Sequence, residues 1–112
     1  MRVPSAAVVL ALVAATLSAC GPGPAEQACD AFVETYTRRF ADECALATRA
    51  EVAAALQSAF ATVGANECSD FDKVRDETSF YDACLPAFEA ATCAELPRLS
   101  PPSCADQLLV VR

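Results

Sequence analysis

The chain of 112 residues contains neither histidine nor tryptophan. Without an imidazole it cannot build a Ser-His-Asp or Cys-His nucleophile pair, an HExxH metal site or a histidine proton shuttle. Its 15 acidic side chains outnumber 8 basic ones and give a formal charge of −7, which repels the phosphates of nucleic acid. A chain of this length holds one small domain. We therefore expect a single acidic domain that does not bind nucleic acid and lacks most hydrolase chemistry.

Residues 1–19 have the pattern of an export signal. A single charge, Arg2, precedes an apolar run over residues 8–17, which has the length of a signal-peptide core and is too short to span a bilayer. We therefore predict that residues 1–19 are removed as a signal peptide. Residues 20–24 then form a short spacer, and residues 25–112 form the folded domain.

The end of this run, Leu17-Ser18-Ala19-Cys20, resembles the lipobox of bacterial lipoproteins. The resemblance implies cleavage before Cys20, a lipid on its sulfur and an acylated (palmitate-type) amino terminus, and two or more acyl chains anchor a protein stably in a membrane. In such lipoproteins an aspartate after the cysteine is a signal for inner-membrane retention. Gly21 stands there in this chain, which favours the outer membrane. The alternative is an ordinary secreted protein in which Cys20 is a structural cysteine.

Six further cysteines remain in the chain, an even number that predicts three disulfides in an exported protein. They contain no CxxC pair and have no histidine beside them, so we expect neither a metal site nor a redox pair. The abundance of alanine predicts a thin apolar core, which makes cross-links necessary in a domain of this size. The cysteines are Cys29, Cys44, Cys68, Cys84, Cys93 and Cys104.

Helical periodicity dominates the mature sequence. Apolar residues three or four apart predict a first helix from about Ala25 to Cys44, in which Phe32, Tyr36 and Phe40 share a face. A second helix over 49–63 is indicated by a capping box, in which Thr48 and Glu51 satisfy each other's backbone amides, and by Gly64 after its end.

A third helix is predicted from about residue 80 to between Cys93 and Leu96, with either a start near Asp82 or a kink at Pro86. Residues 65–78 are expected to form a solvated connection with Phe71 or Val74 beneath it, and Ser103 to cap a short terminal helix. The predicted fold is thus all-α, a small bundle of three to four helices stapled by three disulfides.

Helix length excludes some disulfide pairings, because residues on one helix are separated by 1.5 Å per residue along its axis. Cys29 cannot reach Cys44, and Cys84 cannot reach Cys93. Helices that run up, down and up favour the pairs Cys29–Cys68, Cys44–Cys93 and Cys84–Cys104. A set containing Cys93–Cys104 and Cys44–Cys84 is almost equally compatible with the pattern.

The stretch Phe80-Tyr81-Asp82-Ala83-Cys84-Leu85, followed by Cys93 and by Pro101-Pro102-Ser103-Cys104, resembles a pattern of uncharacterised helical, cysteine-rich bacterial lipoproteins. This resemblance implies a stapled helical fold. It implies no activity.

Three functions are compatible with these features. The leading expectation is a non-enzymatic, lipid-anchored protein of the cell envelope that binds an envelope protein through its acidic surface. The alternative is a carrier of a small apolar ligand in a pocket near Phe32, Tyr36, Phe60 and Phe88. An enzyme using the paired carboxylates Asp42/Glu43 or Asp76/Glu77 is disfavoured, because adjacent residues of a helix do not face each other. We predict no catalytic, cofactor-binding or metal-binding residue; a calcium loop starting at Asp70 lacks the required ligands.

Overall fold

A computed structural model describes residues 21–111, so the predicted signal peptide and Cys20 lie outside the described residues. Within this range the chain is mostly helical. Helix α1 spans Pro24–Thr37 and continues into a π-helical turn over Arg38–Glu43. Helix α2 spans Arg49–Thr62. Helix α3 is continuous through Glu77–Ser79, a π-helical turn over Phe80–Cys84, and Leu85–Ala90. Short 3-10 turns cover Cys68–Asp70, Leu96–Arg98 and Pro102–Cys104.

Two short strands correct the all-α prediction. Strand β1, Lys73–Val74, pairs antiparallel with β2, Leu108–Leu109, so that Lys73 faces Leu109 and Val74 faces Leu108. The predicted terminal helix is therefore wrong. Asp106 has a φ of 52° in the left-handed region, which ends any helix begun at Ser103 and turns the chain toward β1. The predicted connection over residues 65–78 likewise contains a 3-10 turn and β1, while Phe71 is buried beneath it as expected.

The capping box of α2 has the predicted geometry. Thr48 Oγ1 accepts the Glu51 N–H at 3.1 Å, and the Glu51 carboxylate accepts the Thr48 N–H at 2.9 Å. Gly64 follows the helix with a φ of 84°, a left-handed conformation that glycine adopts without strain. The bounds of α2 differ by one residue from those predicted.

Helix α3 begins and ends earlier than its sequence pattern indicates. It begins at Glu77 because the Asp76 carboxylate accepts the Ser79 N–H at 3.0 Å. Pro86 lies well inside it, and the π-helical turn before the proline lets the Leu85 N–H bond the Phe80 carbonyl five residues back. The helix ends at Ala90, because Thr92 and Glu95 form a second capping box that starts the next turn.

The core is small and divides into two clusters, one around Phe71 and Cys29 and one around Phe80 and Cys84. Three disulfides join Cys29 to Cys68, Cys44 to Cys93 and Cys84 to Cys104, with sequence separations of 39, 49 and 20 residues. This is the first of the two pairings that the sequence left open. None of the helices within residues 21–111 is long and apolar enough to cross a membrane.

Candidate functional site

An apolar groove opens between the C-terminal part of α2 and the segment that carries β2. Its volume is about 350 Å³. Four aromatic rings contribute to its walls, and Phe60 meets Phe71 edge to face with ring centroids 5.2 Å apart. The lining side chains or backbones belong to Phe32, Ala59, Phe60, Val63, Phe71, Phe80, Cys104, Asp106, Gln107, Leu108, Leu109 and Val110. We call this set the apolar groove.

Residues at the margins of the apolar groove remain accessible to solvent. Val63, at the end of α2, is 49% exposed, and Leu108 to Val110 are half-buried. Val111, the next residue along the chain, is 59% exposed. Apolar surface that folding has left in water gains free energy when a ligand covers it, at about 25 cal/mol per Å². The groove therefore offers exposed apolar surface that an apolar group can cover.

The apolar groove contains one charged residue, Asp106. Its carboxylate forms no ion pair or hydrogen bond with another residue of the described range. Its neighbour Gln107 is buried and fixes the segment in place, since its side chain accepts the Asp76 N–H and donates to the Ser103 carbonyl. The lining of the groove thus includes one unpaired acid, next to a residue that is fixed by two hydrogen bonds.

A second set of charges, the arginine cluster, lies where α1 ends, α2 begins and α3 ends. Arg38 pairs with Glu34, Glu43 and Glu89, and Arg39 pairs with Glu43 at 2.6 Å. Arg49 pairs with Asp42 at 2.5 Å. The Arg39 guanidinium also donates to the carbonyls of Phe88 and Ala91, which the end of α3 leaves without helical partners.

Three of the four carboxylates considered for catalysis, Asp42, Glu43 and Asp76, are occupied by structural contacts. Hydrogen bonds from Arg49 lower the pKa of Asp42, and hydrogen bonds from Arg39 and then Arg38 lower the pKa of Glu43. A general acid at neutral pH needs a raised pKa instead. Asp76 is held as the helix cap of α3. These residues therefore stabilise helix ends and ion pairs.

The four aromatic residues expected around a ligand pocket are not all in one place. Phe32 and Phe60 line the apolar groove. Tyr36 instead stacks on Phe40 at a centroid distance of 4.3 Å and contacts Phe88 at 5.7 Å, and burial raises the pKa of its hydroxyl. The structure therefore brings two of the four predicted residues to the groove.

Most of the groove was not foreseen from the sequence. Phe71 was expected only as a buried side chain beneath a loop, and Phe80 as part of a helical core stripe. Asp106 and Leu108 to Val110 were missed because they were assigned to a terminal helix or its covering tail. The apolar, β-branched run that ends in Val110 and Val111 is the signal that favours a strand there.

Another groove lies between α1 and α2 and has a volume of about 530 Å³. Its walls include the small side chains of Ala50 and Ala53 and the polar ones of Arg49 and Gln57. It offers fewer aromatic contacts than the apolar groove. Among residues 21–111, no group of histidine, cysteine, aspartate or glutamate side chains is arranged to hold a metal ion.

Comparison with family models, with curated proteins and with solved structures gives no match for this chain.

Proposed function

We propose that this protein is a lipid-anchored, non-enzymatic protein-interaction module of the bacterial cell envelope. The observation that carries the proposal is an apolar groove whose lining includes one acid that has no ion-pair partner in the described range. The guanidinium groups of Arg38, Arg39 and Arg49 are bound to carboxylates of this same chain. Asp106, in the apolar groove, has no such partner among the described residues. An apolar surface with an unpaired acid suits a protein partner that is apolar and basic.

The proposed anchor is the lipid on Cys20, supported by the lipobox pattern, and Gly21 favours the outer membrane as its location. Helix α1 begins at Pro24, so a fully extended spacer of four residues spans only about 13 Å. The domain would therefore remain close to the membrane surface. In this proposal the three helices form a small bundle that acts as a rigid support for the groove.

The anchor is tested by isolating the full-length protein from bacterial membranes and measuring the mass of its N-terminal peptide. We expect a diacylglyceryl modification on Cys20 and an acyl chain on the amino group. The Cys20→Ser variant should appear in the soluble fraction. Cleavage elsewhere, with Cys20 unmodified, would contradict the anchor.

The partner is tested by chemical crosslinking in living cells, followed by mass spectrometry. We expect a crosslinked envelope protein that is lost when Asp106 is changed to lysine. Asp30→Lys is the matched control, because Asp30 is an exposed acid of α1 that lies beside the arginine cluster. A chain that gives no crosslinked protein, or one that is insensitive to the change at Asp106, argues against an interaction module.

A second candidate function is a carrier of a small apolar ligand, which is favoured by the volume of the apolar groove. About 350 Å³ lies within the usual range of small-molecule sites. Solvent extraction of the protein purified from membranes should then release an apolar compound in equimolar amount. Phe60→Glu should abolish its retention. If the extract contains only the covalent lipid of the anchor, the carrier function is wrong.

A further inference from the structure

The backbone of residues 107–111 alternates between two directions. The carbonyls of Gln107 and Leu109 accept hydrogen bonds from Arg75 and Asp72 on the β1 side, each at 2.8 Å. The Val111 N–H points the same way, since it donates to the Asp72 carboxylate at 2.8 Å. In an extended strand the intervening residues direct their N–H and C=O groups to the opposite edge. Leu108 and Val110 therefore present their backbone groups away from β1.

This outer edge of β2 borders the apolar groove. Leu108, Leu109 and Val110 are three consecutive lining residues, and Phe60 and Val63 of α2 line the same groove. Unpaired backbone groups at a strand edge are a template for another strand. The groove thus combines apolar walls with hydrogen-bonding groups spaced for an extended peptide.

The charge of Asp106 narrows the kind of molecule that fits the groove. Asp106 lies at the start of this edge, and its carboxylate has no cation partner in the described range. A second copy of the chain would bring its own Asp106 and its own charge of −7 to the same place. A small apolar compound would leave the backbone groups of Leu108 and Val110 unpaired.

We infer that the apolar groove binds an extended, basic segment of a partner protein, which adds to the outer edge of β2 as a third strand. The inference rests on the proposed interaction function and names the part of the partner that is recognised. Main-chain hydrogen bonds to Leu108 and Val110 supply the affinity common to extended peptides. The aromatic walls select apolar side chains, and Asp106 selects lysine or arginine over acidic residues.

The test uses the full-length protein in detergent and fluorescent peptides of about eight residues that alternate valine with lysine and threonine. Fluorescence polarisation should show that this peptide binds at least about tenfold tighter than its counterpart with glutamate for lysine. N-methylation of alternate amides, on the peptide edge that faces β2, should weaken binding about tenfold, because the methylated amides cannot donate hydrogen bonds to β2. Methylation of the other amides should have little effect.

Variants of the protein separate the backbone from the side chain. Val110→Pro removes the N–H from the outer edge and should weaken binding about tenfold, whereas Val110→Ala keeps that N–H and should bind more tightly than the proline variant. Asp106→Asn removes the charge but retains a residue that tolerates a positive φ. It should reduce the preference for the basic peptide. Circular dichroism identifies any variant that fails to fold, and the N-methylated peptides then test the same edge in the unchanged protein.

Several outcomes would overturn the inference. Binding that ignores both peptide charge and N-methylation would indicate simple apolar adsorption. Competition by octylamine but by no peptide would indicate a small-ligand site. Self-association that blocks the groove would indicate a second copy as the occupant. If a partner is captured in cells and its crosslinking is unaffected by Val110→Pro, the strand addition is rejected but the interaction function is not. If the peptide binds as expected but no partner is found in cells, the interaction function is rejected but the strand addition is not.

Discussion

The arginine cluster and the apolar groove lie at opposite ends of α2. They differ in whether their charged and hydrogen-bonding groups are paired within the chain. In the arginine cluster, charges from α1 are paired with charges from α2 and α3, and Arg39 also satisfies carbonyls at the end of α3. In the apolar groove, the outer edge of β2 and the Asp106 carboxylate have no hydrogen-bond or ion-pair partner in the described range. The charged groups of the arginine cluster are thus paired within the chain, whereas the apolar groove leaves groups available to a partner.

The two ends also differ in how they are cross-linked. The Cys44–Cys93 disulfide cross-links the end of the molecule that holds the arginine cluster, where ion pairs already connect the helices. The other two disulfides hold the segments that build the groove: Cys29–Cys68 holds the turn before Phe71, and Cys84–Cys104 holds the segment before β2. A groove leaves apolar surface unburied, so its walls gain less from the hydrophobic effect. Covalent links compensate for that loss.

Removal of single disulfides should have the largest effect and should distinguish the two ends. Changing Cys84 and Cys104 to serine should cost about 3 kcal/mol of unfolding free energy, and changing Cys44 and Cys93 about 4 kcal/mol, because the latter closes the longer loop. Only the first change should also weaken binding of the basic peptide. Urea denaturation gives the free energies, and fluorescence polarisation at low temperature gives the binding.

The double variant at Cys44 and Cys93 is the control for this comparison. It should bind the peptide normally under every condition in which it is folded. Equal loss of binding in the two double variants would mean that the groove depends on the whole fold and that the ends are not independent.

The next largest effect is expected inside the arginine cluster. The Arg39 side chain is 12% exposed and bonds two carbonyls of α3, whereas the Arg49 side chain is 68% exposed and pairs only with Asp42. Arg39→Ala should therefore cost about 1–3 kcal/mol, because it leaves part-buried carbonyls unpaired. Arg49→Ala should cost under about 1 kcal/mol, as for other exposed ion pairs.

Thermal or urea unfolding of these two variants measures the difference directly. If Arg49→Ala is as destabilising as Arg39→Ala, the cluster is held by its overall charge and not by the contact with the end of α3. Peptide binding should be unchanged in both, since neither residue lines the apolar groove.

The sequence predicts those features of the fold that depend on residues close together along the chain. The box formed by Thr48 and Glu51 placed the start of α2, because capping depends on residues only three positions apart. The same pattern at Thr92 and Glu95 ends α3 at Ala90, so the apolar stripe alone predicts too long a helix. Helix length, which is itself a local property, excludes pairs such as Cys29–Cys44. The up-down-up arrangement of the helices then favours the set of disulfides that is observed.

The groove could not be predicted in this way. It depends on β1 and β2 pairing across more than thirty residues, and strands of two residues leave almost no periodic signal. The left-handed turn at Asp106, which directs β2 toward β1, is equally invisible to a helical pattern. Phe71 and Phe80 are core residues, as their sequence pattern predicts, but that pattern does not reveal that they also line the groove.

Acidification should destabilise the arginine end first. The Thr48 N–H lowers the pKa of Glu51, and the Thr92 N–H lowers the pKa of Glu95, as arginines do for Asp42 and Glu43. A folded-state pKa below the unfolded value of about 4.3 for glutamate gives stability that is present above this pH and is lost as the pH falls through the folded pKa. Unfolding free energy should thus be flat from about pH 7 to 5.5 and fall below about pH 4.3.

Denaturation curves across this range test the sign and the location. Glu51→Gln and Glu95→Gln, which retain a hydrogen-bond acceptor but do not titrate, should make the decline below pH 4.3 shallower. Hydrogen exchange should show opening at the start of α2 and the end of α3 before β2. A protein that becomes more stable on acidification would contradict this account.

The smallest effect on stability should come from exposed apolar residues, and here the two ends can be compared with nearly equivalent side chains. Val63 beside the groove is 49% exposed, and Leu46 beside the arginine cluster is 44% exposed. Changing either to serine removes surface that folding has not fully buried, so each should alter unfolding free energy by no more than about 0.5 kcal/mol. Peptide binding should distinguish the two variants. Val63→Ser should weaken binding of the basic peptide about threefold, because a ligand in the groove would cover this side chain. Leu46→Ser should leave binding unchanged. If both variants weaken peptide binding equally, the peptide adheres to exposed apolar residues in general. The proposed difference between the arginine cluster and the apolar groove would then be wrong.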